Sequence, residues 1–228
     1  MHIEISGSNK RRTRKCTIRN IYKTEAAIVG VNIRRKMILG IDVSTSITGF
    51  ALVGDGEILH YSACDLRKEK GPFAKAEKIK EYIEDLYEMY QLDNDSFVGD
   101  AKFPIDKIYI EQPLMMFAKG RSSASVIATL TAFNGIVSWL VYELFEIEPE
   151  YISASSARKK AGISVKRGQK AKEVVLAHLL EHEQAFNIEY TKHGNPVAGS
   201  YDKADAIVVA KAGYVIEQEN KKKEPVPT

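Results

Sequence analysis

The chain has too few cysteines for a disulfide framework or a cysteine-rich zinc site. Two cysteines, Cys16 and Cys64, occur in 228 residues, which is typical of a reducing compartment. No uninterrupted apolar run approaches the roughly 20 residues that a membrane-spanning helix needs, and the N-terminus lacks the apolar core of a signal peptide. We therefore expect a soluble intracellular protein, in cytoplasm, nucleoid or a viral replication site, and no membrane partner.

The histidines also lack the spacing of metal ligands. Of the five histidines, only His178 and His182 lie four residues apart on a predicted helix, and packing or surface exposure explains this pair better than a metal does. The sequence therefore does not indicate a site built from His and Cys ligands.

The net charge of +3 conceals an uneven distribution. Residues 1–36 contain ten Lys or Arg and two Glu, a local charge of +8, whereas the remainder carries −5. Such a basic arm can bind a polyanion, and a solvated leader explains it equally well. Its Arg-rich, acid-poor character also leaves organellar targeting open. We expect a basic extension over 1–36, one folded domain over 37–218 and a disordered tail over 219–228.

The order of the strand and helix patterns predicts an α/β fold. Three short apolar segments separated by glycine turns, at 37–43, 48–54 and 57–64, indicate an antiparallel meander. Strands at 107–111 and from Glu150 then alternate with predicted helices at 72–91, 122–145, 155–161, 167–183 and 200–217. This order is typical of a mixed five-stranded sheet flanked by helices. The helix over 122–145 is apolar on most sides, so we expect it to be largely buried, although a dimer surface would look the same.

Four acidic residues carry the chemical information in this pattern. Asp42 lies in the first strand and Glu111 ends a later one, while Asp202 and Asp205 share one face of the last helix. Each acid alone has an ordinary explanation, such as a helix cap or a strand-end ion pair, but a strand-embedded Asp42 needs a cationic partner. Together the four favour hard cations, Mg²⁺ above zinc, and two-metal phosphodiester hydrolysis.

With these motifs the chain resembles the RuvC-type Holliday junction resolvases of the RNase H-like nuclease superfamily. The resemblance covers residues 37 to 218, and its motifs are Gly40-Ile-Asp-Val-Ser-Thr-Ser-Ile-Thr-Gly-Phe-Ala-Leu, Ile110-Glu-Gln-Pro, Phe117-Ala-Lys-Gly and Asp202-Lys-Ala-Asp-Ala-Ile-Val-Val-Ala. It implies that Asp42, Glu111, Asp202 and Asp205 are catalytic acids that hold two Mg²⁺ ions, for which Mn²⁺ substitutes. It further implies a homodimer that nicks two opposing strands of a four-way DNA junction symmetrically.

The same resemblance implies where branched DNA would be contacted. The segment after Met115 is similar to a junction-opening loop, in which Met116 or Phe117 would wedge against unstacked bases, although packing beneath the loop explains these side chains equally well. Further contacts would come from basic residues in two loop regions beside the acids, with solvated lysines as the alternative. These residues are Lys119, Arg121, Arg158, Lys159, Lys160, Lys166, Arg167 and Lys170.

Three other functions fit parts of the same pattern. A nuclease of the same fold that cuts flaps, forks or RNA–DNA hybrids is one, because the chain has Asp42-Val-Ser where the family usually has Asp-Pro-Gly, and viral and phage relatives diverge in this way. An actin-like or sugar-kinase ATPase is another, but the chain lacks a second glycine-rich phosphate hairpin. The third, an inactive junction-binding protein, is opposed by the presence of all four acids.

Overall fold

Five strands form one mixed sheet at the centre of the fold. The meander comprises β1 (Met37–Asp42), β2 (Ile47–Gly54) and β3 (Glu57–Asp65), and the parallel strands are β4 (Lys107–Glu111) and β5 (Glu150–Ile152). Their order across the sheet is β3-β2-β1-β4-β5, with β4 parallel to both β1 and β5. This confirms the predicted sheet. The computed structural model describes residues 35–92, 105–113 and 124–223.

Within the described residues, five helices cover the two faces of the sheet. They are α1 (Gly71–Leu92), α2 (Ala124–Phe145), α3 (Ala154–Lys160), α4 (Ala171–His182) and α5 (Ser200–Lys223). Helices α1 and α2 pack on one face, whereas α5 crosses the other face with α3 and α4 beside it. Helix α4 begins four residues later than predicted, after a turn in which Gly168 has a φ of +90°. Glycine accepts this left-handed conformation without a steric penalty.

The alternation of side chains along the strands separates two hydrophobic cores. On β1, Leu39 and Ile41 pack toward α1 and α2, whereas Ile38 packs toward α5. On β4, Ile108 and Ile110 pack toward α1 and α2, whereas Tyr109 packs toward α5. Because successive side chains of a strand point to opposite faces, the residues at even positions of β1 and odd positions of β4 face α5.

Small residues let α5 lie unusually close to the sheet. A side chain at Gly40 of β1 would overlap the backbone of Ala206 and Ala210 on α5, and one at Gly213 of α5 would overlap the ring of Tyr109. The face of α5 that carries Ala206, Ala210 and Gly213 is therefore the face that packs on the sheet. Contact at backbone distance fixes the height of the helix above the strands.

The C-terminal half of α5 is anchored by polar contacts. Glu217 is buried, accepts a hydrogen bond from the Tyr109 hydroxyl at 3.0 Å and forms an ion pair with Lys36. Two residues further, Glu219 pairs with Lys160 of α3. These contacts explain why the helix continues to Lys223, six residues past its predicted end, so the predicted disorder from residue 219 is wrong as far as 223.

Helix α2 is much less buried than its composition predicts. Only one face, including Phe133, Val137 and Val141, packs into the core, while Trp139 is 63% exposed and Tyr142 is 45% exposed. Among the described residues, α2 is the one helix that is long and apolar enough to cross a membrane, judged by its length and by a mean hydropathy of 1.6. Core helices of soluble proteins meet the same criteria, so this is weak evidence for a membrane. The expectation that α2 is largely buried was wrong.

Candidate active site

Asp42 and Glu111 meet at the carboxyl ends of adjacent parallel strands. The β1–β4 register pairs Ile41 with Ile110, so the next residues of the two strands lie side by side. Neighbouring strands are about 4.8 Å apart, and the alternation of both strands directs these two carboxylates to the α5 side of the sheet. The end of β4 is held further by Asn134 of α2, whose side-chain amide donates to the Glu111 carbonyl at 3.2 Å.

The turn after Asp42 is stabilised without the proline and glycine that the family resemblance leads one to expect. Thr48 is fully buried, and its hydroxyl donates to the Ser44 carbonyl at 2.9 Å while accepting from the Ser44 amide at 3.3 Å. These two bonds close the β1–β2 connection and hold the end of β1. The two hydrogen bonds of the Thr48 side chain therefore stabilise this turn in the absence of a Pro-Gly dipeptide.

The first two turns of α5 bring Asp202 and Asp205 to the same end of the sheet. Gly49 pairs with Asp42 across β1 and β2, and a side chain at Gly49 would overlap the carbonyl of Asp202. Asp205 follows three residues later and lies on the same side of the helix. Two strand ends and the start of one helix thus bring four carboxylates together. We call this cluster of Asp42, Glu111, Asp202 and Asp205 the acidic pocket.

The four acids are close enough for the charge of one to raise the pKa of another. Burial raises the pKa of Asp42 well above its usual value, and the charges of Glu111, Asp205 and Asp202 add to the rise. Burial and the Asp205 charge raise the pKa of Glu111 to about 7. Burial also raises the pKa of Asp202 and of Asp205. The structure therefore brings together all four acids that the sequence singles out, in a setting that disfavours four negative charges.

One ammonium group reaches into this acidic pocket. Lys172, on the first turn of α4, places its Nζ 3.4 Å from Asp205 Oδ2 and 3.8 Å from Asp202 Oδ1. Its charge also lowers the pKa of Asp42 and of Glu111. Sequence reasoning missed this residue, because nothing in the pattern distinguishes Lys172 from its neighbours until α4 is packed against α5.

The donor set has the chemistry of a divalent-cation site. In the ranges that the structure describes, no three His, Cys, Asp or Glu side chains form a ready-made metal-binding group. The pocket nevertheless holds four partly buried carboxylates whose charges raise the pKa of Asp42, and the Lys172 ammonium group contacts two of them. Oxygen ligands with excess negative charge fit Mg²⁺ or Mn²⁺.

The basic residues predicted to contact DNA separate into two groups in space. Arg158 lies near the pocket, since its charge lowers the pKa of both Glu111 and Asp205. Lys160 instead pairs with Glu219, 17 residues beyond Asp202 and thus roughly 25 Å along α5, at 1.5 Å per residue. This placement contradicts the expectation that Lys160 lies beside the acids, because successive residues of α3 face different directions.

The remaining predicted contacts occupy the surface or lie outside the described residues. Lys170 is exposed and pairs with Glu173 at 2.8 Å, while Lys159, Lys166 and Arg167 are exposed. The predicted contacts outside the described residues are Met116, Phe117, Lys119 and Arg121.

A second basic residue near the pocket was also missed. Arg67, just past β3, binds both carboxylate oxygens of Asp65 at 2.9 and 2.6 Å, and its charge lowers the pKa of Asp202. The sequence shows only an isolated Asp-Leu-Arg after a strand. The antiparallel pairing of β2 with β3 is what carries this residue to the acidic end of the sheet.

The sheet order and the position of the acids define an RNase H-like fold, and solved structures share it. The RuvC of T. thermophilus in complex with a Holliday junction substrate is 12% identical, with a TM-score of 0.53 over 81% of this chain and 96% of that one. A second structure of Thermus thermophilus RuvC is 13% identical, with a TM-score of 0.51 over the same shares, 81% and 96%. The yeast mitochondrial Holliday junction resolvase Ydc2 is 14% identical, with a TM-score of 0.49 over 82% of this chain and 80% of that one.

The likeness to the two Thermus structures establishes the fold. No family model matches the sequence, and no curated protein matches it. The RuvC-type, RNase H-like fold that the sequence motifs imply is confirmed by the two Thermus structures.

Proposed function

We propose that this protein is a structure-selective endonuclease that resolves four-way DNA junctions by paired symmetric nicks. The observation that carries the proposal is the meeting of Asp42, Glu111, Asp202 and Asp205 in one pocket on a RuvC-type fold. One of the similar structures is itself bound to a Holliday junction substrate. Fold alone does not determine function, so the pocket has to carry the inference.

The four acids would hold two Mg²⁺ ions, for which Mn²⁺ would substitute. When bound, such ions supply activation of the attacking water and stabilisation of charge on the leaving oxygen. The carboxylates must be deprotonated to hold a cation. Because the pKa of Glu111 is about 7 in the metal-free protein, cation binding should strengthen as pH rises through neutrality. Arg158, beside the pocket, is placed to neutralise a phosphate oxygen.

Cleavage of defined substrates tests the proposed specificity. The purified protein would be incubated in Mg²⁺ with labelled four-way junction, flap, linear duplex and RNA–DNA hybrid. Symmetric paired nicks on the junction support a resolvase, whereas preferential cutting of flaps or hybrids overturns that specificity. We expect Asp42→Asn to abolish cleavage while junction binding persists. Cleavage by the wild-type protein in excess EDTA would refute the metal-dependent mechanism.

The exposed face of α2 supports a homodimer as the working form. Trp139 and Tyr142 stand next to each other with ring centroids 5.9 Å apart, and the exposed Ala128, Ala132 and Gly135 continue the same stripe toward the start of the helix. Exposed aromatic side chains beside small residues suit close packing of two helices, and a two-fold dimer matches the two strands to be nicked.

The dimer proposal is tested by the mass of the protein in solution. We expect wild type to elute as a dimer in light-scattering chromatography and Trp139→Arg to elute as a monomer. Phe73→Arg is a matched control, because Phe73 is an aromatic side chain on α1 that is 79% exposed. A wild-type monomer, or equal dissociation by both substitutions, would contradict the assignment of this face.

A further inference from the structure

We propose that Lys172 is a built-in counter-cation that occupies the acidic pocket in the metal-free protein and competes with divalent metal for it. The inference rests on the proposed function, since it assumes that the four acids are the metal ligands. It adds a role for a residue that belongs to none of the sequence motifs. Lys172 would set how tightly the pocket binds metal and how stable the protein is without it.

The geometry places the ammonium group where a cation would be drawn. Lys172 Nζ lies 3.4 Å from Asp205 and 3.8 Å from Asp202, so one amine contacts both acids of α5. Both carboxylates are largely buried, with side chains only 13% and 18% exposed. A simple ion pair would join the lysine to a single carboxylate. Because Lys172 contacts two carboxylates at once, the combined negative charge of the acids holds its ammonium group in place.

The rest of the side chain is free to leave. The Lys172 side chain is 59% exposed, so more than half of it faces solvent although its Nζ contacts the acids. Lysine has a flexible stem and a compact charge, and rotation about its side-chain bonds can return the ammonium group to solvent. Displacement by a metal ion therefore requires no movement of α4 or α5.

The other cations near the pocket are held differently. Arg67 is engaged by both oxygens of Asp65, and Lys170, two residues before Lys172, pairs with Glu173. Arg158 influences Glu111 and Asp205 through its charge, without an ion pair to either acid among the contacts that the structure describes. Among the described residues, Lys172 is thus the basic side chain whose own contacts a divalent ion would have to replace.

Competition follows from electrostatics. An ammonium group and a divalent ion bound to the same carboxylates repel each other, so binding of the metal must break the two Lys172 contacts. Each of these partly exposed ion pairs is weak because solvent screens it, but the metal must break both of them. Removing Lys172 should therefore tighten binding of the first metal ion by about tenfold.

The test compares metal binding and stability in Lys172→Met with those of the full-length wild-type chain. Mn²⁺ would be titrated by calorimetry without DNA, and unfolding temperatures would be measured in EDTA and in saturating Mn²⁺. We expect Lys172→Met to bind Mn²⁺ about tenfold more tightly, to unfold at a lower temperature in EDTA and to gain more from the metal. Lys170→Met is the matched control and should resemble wild type in both measurements, while Lys172→Arg should retain the competition.

The outcomes separate this inference from the proposed function. Equal Mn²⁺ affinity in wild type and Lys172→Met, or weaker binding in the variant, overturns the role of Lys172 and leaves the metal-dependent nuclease standing. If neither protein binds Mn²⁺, both proposals fall. If Lys172→Met unfolds in EDTA, Lys172→Gln provides a milder replacement in which the same tenfold gain is expected.

Discussion

Replacing Glu111 with Gln removes one ionisable carboxylate from the acidic pocket while keeping nearly the same shape. Burial and the Asp205 charge raise the pKa of Glu111 from 4.5 to about 7 in the folded protein. Between these pH values the folded protein keeps a proton that the unfolded chain has released. Because the folded state binds more protons in this window, the metal-free protein loses stability as pH rises from about 4.5 to 7.

The size of the effect follows from the raised pKa. One pKa unit corresponds to about 1.4 kcal/mol, so the rise from 4.5 to about 7 corresponds to roughly 3 kcal/mol before screening. Glu111 is not fully buried, and solvent reduces this to about 2 kcal/mol. For a chain of this length, that is a change in melting temperature of about 4–8 °C.

The assay is urea or thermal unfolding of the metal-free protein in EDTA at about pH 4.5 and pH 8. We expect Glu111→Gln to be more stable than wild type at pH 8 and equal to it at pH 4.5, because the variant lacks the carboxylate that must ionise. Glu173→Gln, an exposed carboxylate outside the pocket, should show no such gain. An unchanged or lower stability of Glu111→Gln at pH 8 would refute the electrostatic account of the pocket.

Two further predictions concern the first turn of α5 and the basic residues of α3. Gly49→Ala should destabilise the protein by about 1–3 kcal/mol and reduce cleavage at least tenfold, because the new methyl group would push Asp202 out of place; urea unfolding and junction cleavage measure the two effects. Arg158→Gln should weaken junction binding and lower by about one the number of counterions released on binding, which is read from the slope of affinity against salt. Lys160→Gln should change neither quantity, because Lys160 pairs with Glu219 far from the acids. Equal effects of the two α3 substitutions in a salt titration would contradict this division.

Period-two and period-3.6 patterns were enough to predict the strand and helix order and to select the four acids. Alternation already places Asp42 and Glu111 on one face of the sheet, and the spacing of Asp202 and Asp205 places them on one helix face. What the patterns do not contain is the packing of α4 against α5. That contact alone determines that Lys172, and not Lys170, reaches the pocket.

Composition misled where a helix has two apolar sides. The sequence of α2 is apolar almost all round, which usually indicates burial on every side, yet one side of α2 faces outward with Trp139 on it. A helix buried on every side within one subunit and a helix with one face in a subunit interface have the same apolar composition, so the sequence alone does not distinguish them. The end of α5 shows the opposite error. Residues 219–223 read as part of a disordered tail, yet they continue a helix that Lys36 and Tyr109 hold at Glu217 and Lys160 holds at Glu219.

Helix α5 contacts the sheet where Asp202 lies over Gly49, and it is fastened at Glu217, 15 residues after Asp202 and roughly 22 Å along the helix. Backbone contacts over Gly49 and Gly40 set the height of its acidic end, and the contacts of Glu217 fix the other end. Tyr109 and Glu111 lie on the same face of the same strand, so β4 carries both a support and an acid. Helix α5 is thus fixed to the sheet at both of its ends, and two residues outside the pocket, Tyr109 and Glu217, hold part of the framework that carries the acids.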